Sequence, residues 1–401
     1  MSVIDTPTGD KRSGKRDLPR PSSQASEHSA QVLQYIRDQI RQHDGRISFE
    51  SFMQAALYAP GLGYYRCGSE KFGAGGDFIT APEISPLFAK CLAASIASTG
   101  LQQSCLEFGA GSGKLAVVIL QELEQLNKLP EQYLILELSE ELRHRQQQTL
   151  QAALPKEIYS PVHWLDALPD DFTGVVIANE VLDAMPVRRF LIKDQKISEQ
   201  YVTERDGIFY YDYLLSADGR LTDRVNNLIE ACQLDADGDY LSEINFMAED
   251  LIKSLGEKLQ SAIVLLIDYG YPRNAYYHVQ RRQGTLMCHY QHRAHPDPLI
   301  LPGIQDITAH IDFTAMADAA LEVEMDVLGF TTQGHFLLEN GLLANLEQTQ
   351  PMTADYVVSA NEVKRLTLPG EMGEHFKVLA LGKQTDATIC GFQSHDMRHL
   401  L

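Results

Sequence analysis

The segment LEFGAGSGKLA, residues 106–116, carries the strongest chemical signal in the sequence. Gly109, Gly111 and Gly113 allow a tight backbone turn and let a ligand lie against bare main chain. The apolar residues before them predict a strand, and those after them predict a helix whose first amide groups have no partner within the helix. We therefore expect a flat or anionic ligand to bind at this loop.

Three ligand classes compete for such a loop, and the residue spacing separates them. A nucleoside triphosphate loop requires GxxxxGK followed by Ser or Thr, whereas Lys114 is followed by Leu115. A dinucleotide loop requires GxGxxG, and here the third glycine comes one residue early. The spacing GxGxG after an acidic residue is instead typical of class I S-adenosylmethionine methyltransferases. We predict S-adenosylmethionine as the cofactor, bound by Glu107, Gly109, Ala110, Gly111 and Gly113.

Two acidic residues further along the chain could complete the cofactor site. Glu137 lies at the end of the next predicted strand, where a carboxylate can accept hydrogen bonds from both hydroxyls of a ribose; a solvated acidic residue is the alternative. Asp166 follows the short apolar run 162–165, where such enzymes often contact the adenine amine. The segment around Asp166 could also be a plain loop.

Asn179, Glu180 and Asp183, in the segment ANEVLDAMPV, follow another apolar strand. Ligands collect at the carboxyl ends of strands in open α/β sheets, and a helical spacing would place Glu180 and Asp183 on one face. Two such carboxylates could clamp a guanidinium, which stays protonated in water. A helix with an Asn cap and an acidic first turn fits the same spacing without catalysis, so both interpretations remain open.

Two further segments contain polar candidates. GGDFITAPEIS, from Gly75, contributes Asp77, Thr80, Pro82 and Glu83, and Pro82 with Glu83 beside it also makes a good helix start. Histidines recur at 289, 292 and 295 without acidic or cysteine partners, so we predict no metal site. Instead, we predict that His292 lines the substrate entrance with Asp306, Thr308, His310 and Asp312, a structural network being the alternative.

Apolar runs at 104–108, 133–138, 175–178 and 262–268, with a helical pattern at 114–126, predict an α/β fold with a Rossmann-like parallel sheet. Alternating residues at 187–192, 197–202 and 208–214 predict an antiparallel meander, followed by a mainly helical stretch over 222–255. The predicted regions are a disordered tail (1–27), a helical region and lid (28–100), the first part of the cofactor-binding core (101–190), a substrate-shaping insertion (191–260), and the rest of the core with substrate-side elements (261–401).

The composition of the chain limits the classes of partner that it is expected to bind. The chain has 54 acidic and 34 basic residues, a formal charge of -20, which would repel the phosphate backbone of a nucleic acid. No apolar run is long enough to span a bilayer, and the first 30 residues lack a secretory signal, so we predict a cytoplasmic protein with no membrane partner, which could be a homodimer. The six cysteines are scattered and predict neither zinc nor disulfides.

From about residue 30 to about 382 the chain resembles the MidA family of methyltransferases. The segments that carry the resemblance are ALYAPGLGYY (56–65), GDFITAPEISPLF (76–88), LEFGAGSGKLA (106–116), ANEVLDAMPV (178–187), LLIDYG (265–270), GTLMCHYQHRAHPDPLILPGIQDITAHIDF (284–313) and LPGEMGEHFKVLALGK (368–383). The resemblance implies a methyltransferase core with added segments, S-adenosylmethionine as donor, a lid near Asp77–Glu83, and protein arginine as acceptor. The tail before residue 28 departs from the mitochondrial members, in which the acceptor is thought to be an arginine of a respiratory complex I subunit.

Two other functions stay open at this stage. A non-catalytic assembly factor could retain the methyltransferase fold, and variants of Glu180 and Asp183 would then still support the cellular role. A small-molecule methyltransferase would have a narrow apolar pocket rather than an open acidic groove.

Overall fold

The N-terminal region folds into helices that pack on a short strand. The computed structural model describes residues 18–67, 80–235, 237–348 and 353–401. Val32, Ile36 and Ile40 are buried on one face of the first helix, as their spacing predicts, but this helix begins at Ser23, inside the predicted tail, because Ser22 caps it. The elements are α1 (Ser23–Gln42), β1 (Arg46–Ser48), α2 (Phe49–Tyr58), α3 (Ala81–Ile84) and α4 (Pro86–Ser98).

The next region contains the predicted alternation of strands and helices. Its elements are β2 (Ser104–Phe108), α5 (Lys114–Gln125), β3 (Gln132–Leu136), α6 (Glu140–Ala153), α7 (Lys156–Tyr159), β4 (Val162–Leu165) and β5 (Phe172–Asn179). β2 pairs in parallel with β3 on one side and with β5 on the other, and β3 pairs in parallel with β4. The βαβ unit predicted around the glycine loop is therefore present.

A second, antiparallel sheet follows, and it is larger than predicted. Its region contains β6 (Arg188–Lys193), β7 (Lys196–Arg205), β8 (Ile208–Leu215), α8 (Gly219–Cys232), β9 (Tyr240–Ile244) and α9 (Phe246–Lys258). β6, β7 and β8 form the predicted meander. The prediction of a mainly helical stretch over 222–255 missed β9, which pairs antiparallel with β6 some fifty residues earlier in the chain. β1 pairs with β7 and joins this sheet to the N-terminal region.

The C-terminal region completes the main sheet. Its elements are β10 (Leu259–Tyr271), α10 (Arg273–Tyr276), β11 (Met287–Tyr290), β12 (Arg293–His295), β13 (Asp306–Thr308), β14 (Ile311–Asp312), α11 (Phe313–Glu322), β15 (Met325–Thr332), α12 (Gln333–Glu339), α13 (Leu342–Glu347), α14 (Ala354–Thr367), α15 (Met372–His375) and β16 (Phe376–Lys383). The main strand order is β15-β16-β10-β5-β2-β3-β4, and along this order only β16 runs opposite to the other strands, pairing antiparallel with both β10 and β15. This is the predicted Rossmann-like α/β fold.

The main sheet is buried on both faces. In β10, Ile263, Leu265 and Ile267 pack into one apolar cluster, and Val264 and Leu266 pack into the other. This burial explains why the central strands read as continuous apolar runs. Because β2, β3, β5 and β10 run parallel, their carboxyl ends meet at one edge of the sheet, where ligands bind in such folds. Within the described ranges, no helix is long and apolar enough to cross a membrane.

Candidate active site

The glycine loop after β2 has a backbone that other residues would adopt only with strain. Gly109, Gly111 and Gly113 have φ angles of 58°, 52° and 85°. The amide of Gly109 donates to the carbonyl oxygen of Leu136 at 3.0 Å, which fixes the loop to the end of β3. A Cβ atom added to Gly113 would lie 2.9 Å from Leu150 Cδ1. Gly109, Ala110 and Gly111 of the predicted loop line a cleft at the sheet edge, whereas Gly113 packs against α6.

Glu107 lies beneath this loop and is buried within the sheet. Its carboxylate accepts a hydrogen bond of 2.7 Å from the hydroxyl of Tyr133 on β3. Desolvation raises the pKa of Glu107 to about 7, although the Tyr133 bond opposes that shift. Glu107 borders the cleft, as predicted for a cofactor-site residue.

Glu137 is held at the cleft by residues of α6. One carboxylate oxygen accepts from the amide of Ser139 at 2.9 Å, and the other accepts from Gln146 Nε2 at 3.0 Å. Gln146 is itself oriented by the indole N–H of Trp164, at 2.9 Å. Burial raises the pKa of Glu137, and its hydrogen bonds oppose the shift. Sequence reasoning found Glu137 but missed Gln146 and Trp164, which lack any local motif.

The cleft as a whole is largely apolar and encloses about 380 Å³, a volume typical of small-molecule sites. Thr80, Pro82 and Glu83 also line it, at the start of α3. Glu83 contacts the hydroxyl of Ser112 and accepts from Lys114 Nζ at 2.5 Å, which ties α3 to the glycine loop. Asp77 lies outside the described residues. The apolar lining includes Leu115, Leu136, Leu138, Leu142, Met185, Met247 and Leu251.

Two predicted site residues are not brought to the cleft. The side chain of Asp166 is 91% exposed and pairs with Arg143 at 2.7 Å, because Arg143 is anchored there by the carbonyl oxygen of Leu165. His292 is exposed at the turn between β11 and β12, with φ of 61°. Neither residue lines the cleft. The predicted cluster around His292 is not formed as one surface, since Asp306, Thr308 and Asp312 are buried whereas His292 is exposed.

The segment after β5 forms a turn rather than the predicted helix. Glu180 has φ of 53°, a left-handed conformation, and its amide donates to the carbonyl oxygen of Ile267 at 2.9 Å. No helix covers residues 180–187, so both the helix-cap interpretation and the helical spacing were wrong. Asn179, Glu180 and Asp183 nevertheless all line the cleft.

Asp268, at the end of β10, fixes this turn. Its Oδ2 atom accepts from the amides of Leu182 and Asp183 at 3.1 and 3.2 Å. Asp183 is only 5% exposed; one of its oxygens contacts the hydroxyl of Tyr269. Its other oxygen, and the side-chain oxygen of Asn179, are buried with no hydrogen-bond partner among the described residues. Buried acceptors of this kind normally have partners, so the site is suited to an external donor.

The carboxyl groups of Glu180, Asp183 and Asp268 all have raised pKa values. Desolvation, then the charge of Asp183, raises the pKa of Glu180 to about 8. Desolvation raises the pKa of Asp183 as well, and desolvation with the charge of Asp183 raises that of Asp268 well above its ordinary range. Two of these three carboxyl groups, those of Glu180 and Asp183, line the cleft, and Arg66 also lines it. Such perturbed groups mark functional sites more often than structural ones.

The pKa of Glu180 predicts a pH-dependent effect on stability. Its folded pKa of about 8 exceeds the ordinary value of 4.5, so the folded state binds more protons between these values and stability falls as pH rises. Above pH 8 we expect the free energy of unfolding of the Glu180→Gln variant to exceed that of the wild type by about 1–2 kcal/mol. This figure includes a reduction for solvent screening in the cleft. The difference should be much smaller at pH 5, close to the ordinary pKa of 4.5 below which it would vanish. Chemical denaturation at both pH values measures it, and a constant difference would contradict the prediction; Glu140→Gln, on the exposed face of α6, is the control.

Two tyrosines missed by sequence reasoning complete the wall beside these acids. Tyr58 and Tyr65 stack with ring centroids 5.5 Å apart and both line the cleft. Their hydroxyls donate to the carbonyl oxygen of Ala184 at 3.0 Å and to Asp306 at 2.9 Å, which fixes both rings. Aromatic rings beside carboxylates suit a guanidinium, which can stack and hydrogen-bond at once. The available signal was the aromatic segment ALYAPGLGYY.

Comparison with known proteins agrees with this geometry. Residues 87–331 match a family described as "Putative S-adenosyl-L-methionine-dependent methyltransferase". A "likely methyl transferase from Burkholderia thailandensis bound to S-adenosyl-homocysteine" has a crystal structure with a TM-score of 0.91 and 41% identity, over 96% of this chain and 100% of that one.

Curated relatives extend the comparison. "Protein arginine methyltransferase NDUFAF7 homolog, mitochondrial" of Drosophila melanogaster is 28% identical over 91% of this chain and 88% of the relative. The rat protein arginine methyltransferase NDUFAF7, also named as mitochondrial, is 27% identical over 89% and 85%. The prediction of a cytoplasmic location is contradicted by these mitochondrial relatives, because composition and a weak tail pattern do not determine location.

Proposed function

The chain belongs to this family of S-adenosylmethionine-dependent methyltransferases, and we propose that it methylates an arginine side chain of a protein. The observation that carries the proposal is the group of buried carboxylates beside stacked tyrosines, with an oxygen of Asp183 left without a partner among the described residues. The names of the curated relatives support the same acceptor.

The residues of the cleft fit the cofactor. Gly109 and Gly111 line the cleft without side chains of their own, and the carboxylate of Glu137 has lone pairs left for ribose hydroxyls. Apolar side chains such as those of Leu138 and Leu142 can pack against an adenine ring. When bound, S-adenosylmethionine supplies an electrophilic methyl group attached to a positively charged sulfur. Glu107, Glu137 and the glycine loop would hold it.

The acceptor side must orient a cation and receive a proton. Glu180 and Asp183 would accept N–H bonds from the guanidinium and fix one nitrogen toward the methyl group. The rings of Tyr58 and Tyr65 would support its plane. The nitrogen that gains a methyl group must lose a proton, and Glu180, with a pKa near 8, can accept it at its carboxylate.

Labelling of a lysate tests the acceptor. We expect the enzyme, given methyl-labelled S-adenosylmethionine and an extract of cells that lack it, to label a protein whose acid hydrolysate contains labelled methylarginine. Gly111→Val enzyme serves as the control, because its loop could not adopt the observed φ. Label in methyllysine, in base-labile esters or only in small molecules would overturn an arginine acceptor.

A further inference from the structure

A second, larger cavity opens from the active-site cleft. It encloses about 1120 Å³, against about 380 Å³ for the cleft, and the two share Gln54, Tyr58 and Met247 as lining residues. The walls of this cavity, which we name the side groove, come from α1, β1, α2 and the region from β6 to α9. None of these elements belongs to the main sheet. The side groove is therefore a feature added to the methyltransferase core at the acceptor end.

The arginines of the side groove are already neutralised. Each of the three that line it forms an ion pair with a carboxylate of a neighbouring element, at 2.5–2.9 Å. The pairs are Arg46 with Asp212, Arg188 with Glu199 and Asp218, and Arg220 with Asp250. The wall thus offers little free positive charge to a substrate.

Glu50, near the start of α2, differs from these paired acids. It lines the side groove and is partly buried, yet it forms no hydrogen bond and no ion pair with any described residue. Desolvation raises the pKa of Glu50, and the attraction of Arg188 and Arg220 is opposed by Glu199 and Asp250. Asp44, exposed at the rim, adds a second negative charge. A cation from outside the chain would compensate Glu50.

We propose that the side groove binds the polypeptide on one side of the acceptor arginine, and that Glu50 pairs there with a basic side chain of that polypeptide. The proposal rests on the proposed function, since it requires a protein acceptor in the adjoining cleft. The volume and polar lining of the groove suit a chain segment with its own hydrogen-bonding backbone. Glu50 would then select substrates with a lysine or a second arginine near the methylated one.

Short synthetic peptides test this selection. Each peptide has one central arginine in a Gly-Ser background, and a single lysine is placed at a different flanking position in each peptide of the series. Binding to the full-length enzyme is measured in the presence of S-adenosylhomocysteine. Fluorescence anisotropy should show that peptides with lysine at one set of positions bind about fivefold more tightly than the other peptides. A change of about fivefold in affinity is the effect expected of an ion pair in partly screened surroundings. Glu50→Gln should remove this preference, and Glu50→Lys should replace it by a preference for aspartate.

Controls separate the possible outcomes. Glu27→Gln, on the exposed side of α1 and away from the groove, should keep the preference, and every variant should bind S-adenosylhomocysteine with unchanged affinity. The role assigned to Glu50 would be overturned if the wild-type enzyme showed no preference for lysine, or if the Glu50→Gln enzyme kept that preference. Either result would count against Glu50 even if the lysate experiment yields methylarginine. Absence of methylarginine in the lysate experiment would instead overturn the proposed function itself.

Discussion

Replacing Glu180 by glutamine is expected to lower the kcat for protein methylation at least about 100-fold while S-adenosylmethionine affinity changes little. The reason is electrostatic: the amide keeps the shape of the side chain but can neither balance a guanidinium nor accept its proton. Asp183→Asn should have an effect of similar size, because the unpaired oxygen of Asp183 would no longer carry charge. Single-turnover methylation of the labelled lysate protein measures the loss.

The matched control for Asp183→Asn is Asp166→Asn. Asp166 has the same side chain, but it is exposed and paired with Arg143 outside the cleft. Calorimetric titration with S-adenosylmethionine shows whether each variant keeps the folded cofactor site. Glu180→Gln enzyme that methylates within fivefold of the wild type would rule out a carboxylate clamp at this position, and the acceptor side of the mechanism would have to be sought elsewhere in the cleft.

The backbone geometry of the proposed cofactor half of the site could be predicted because it is local. Gly109, Gly111 and Gly113 lie within five residues, and each needs a left-handed backbone that few other residues adopt. The strand before them and the helix after them are read from the same short segment. Glu137 follows from the next strand, because parallel neighbours end at the same edge. Little information from distant parts of the chain is needed for these assignments.

The sequence drew attention to the residues that we propose for the acceptor half of the site, but it did not predict their conformation. The spacing of Glu180 and Asp183 is compatible with a helical turn, yet the backbone there is bent by Asp268, more than eighty residues later, which accepts two amides of the turn. A tertiary hydrogen bond thus overrides a local preference. The same holds for β9, whose partner strand β6 lies far along the chain, and for Asp166, which an ion pair holds outside the cleft.

The second large effect is expected at the glycine loop. Gly113→Ala should reduce the affinity for S-adenosylmethionine at least about 30-fold, because two costs combine at this position. Its φ of 85° strains any residue with a Cβ atom by about 1–2 kcal/mol. In addition, the new Cβ would lie 2.9 Å from Leu150 and 3.3 Å from the Cα of Gln146. Because Gln146 orients Glu137, a shift of α6 would displace both the loop and the carboxylate.

Gly341 offers a control that isolates the second cost. It also precedes a helix with φ of 85°, but a Cβ there would meet nothing within 4 Å. Gly341→Ala should therefore lose stability through backbone strain alone and bind S-adenosylmethionine as the wild type does. Isothermal titration of both variants separates strain from displacement of the site. Equal cofactor affinity in the two variants would mean that the glycine loop and α6 do not position the ligand together.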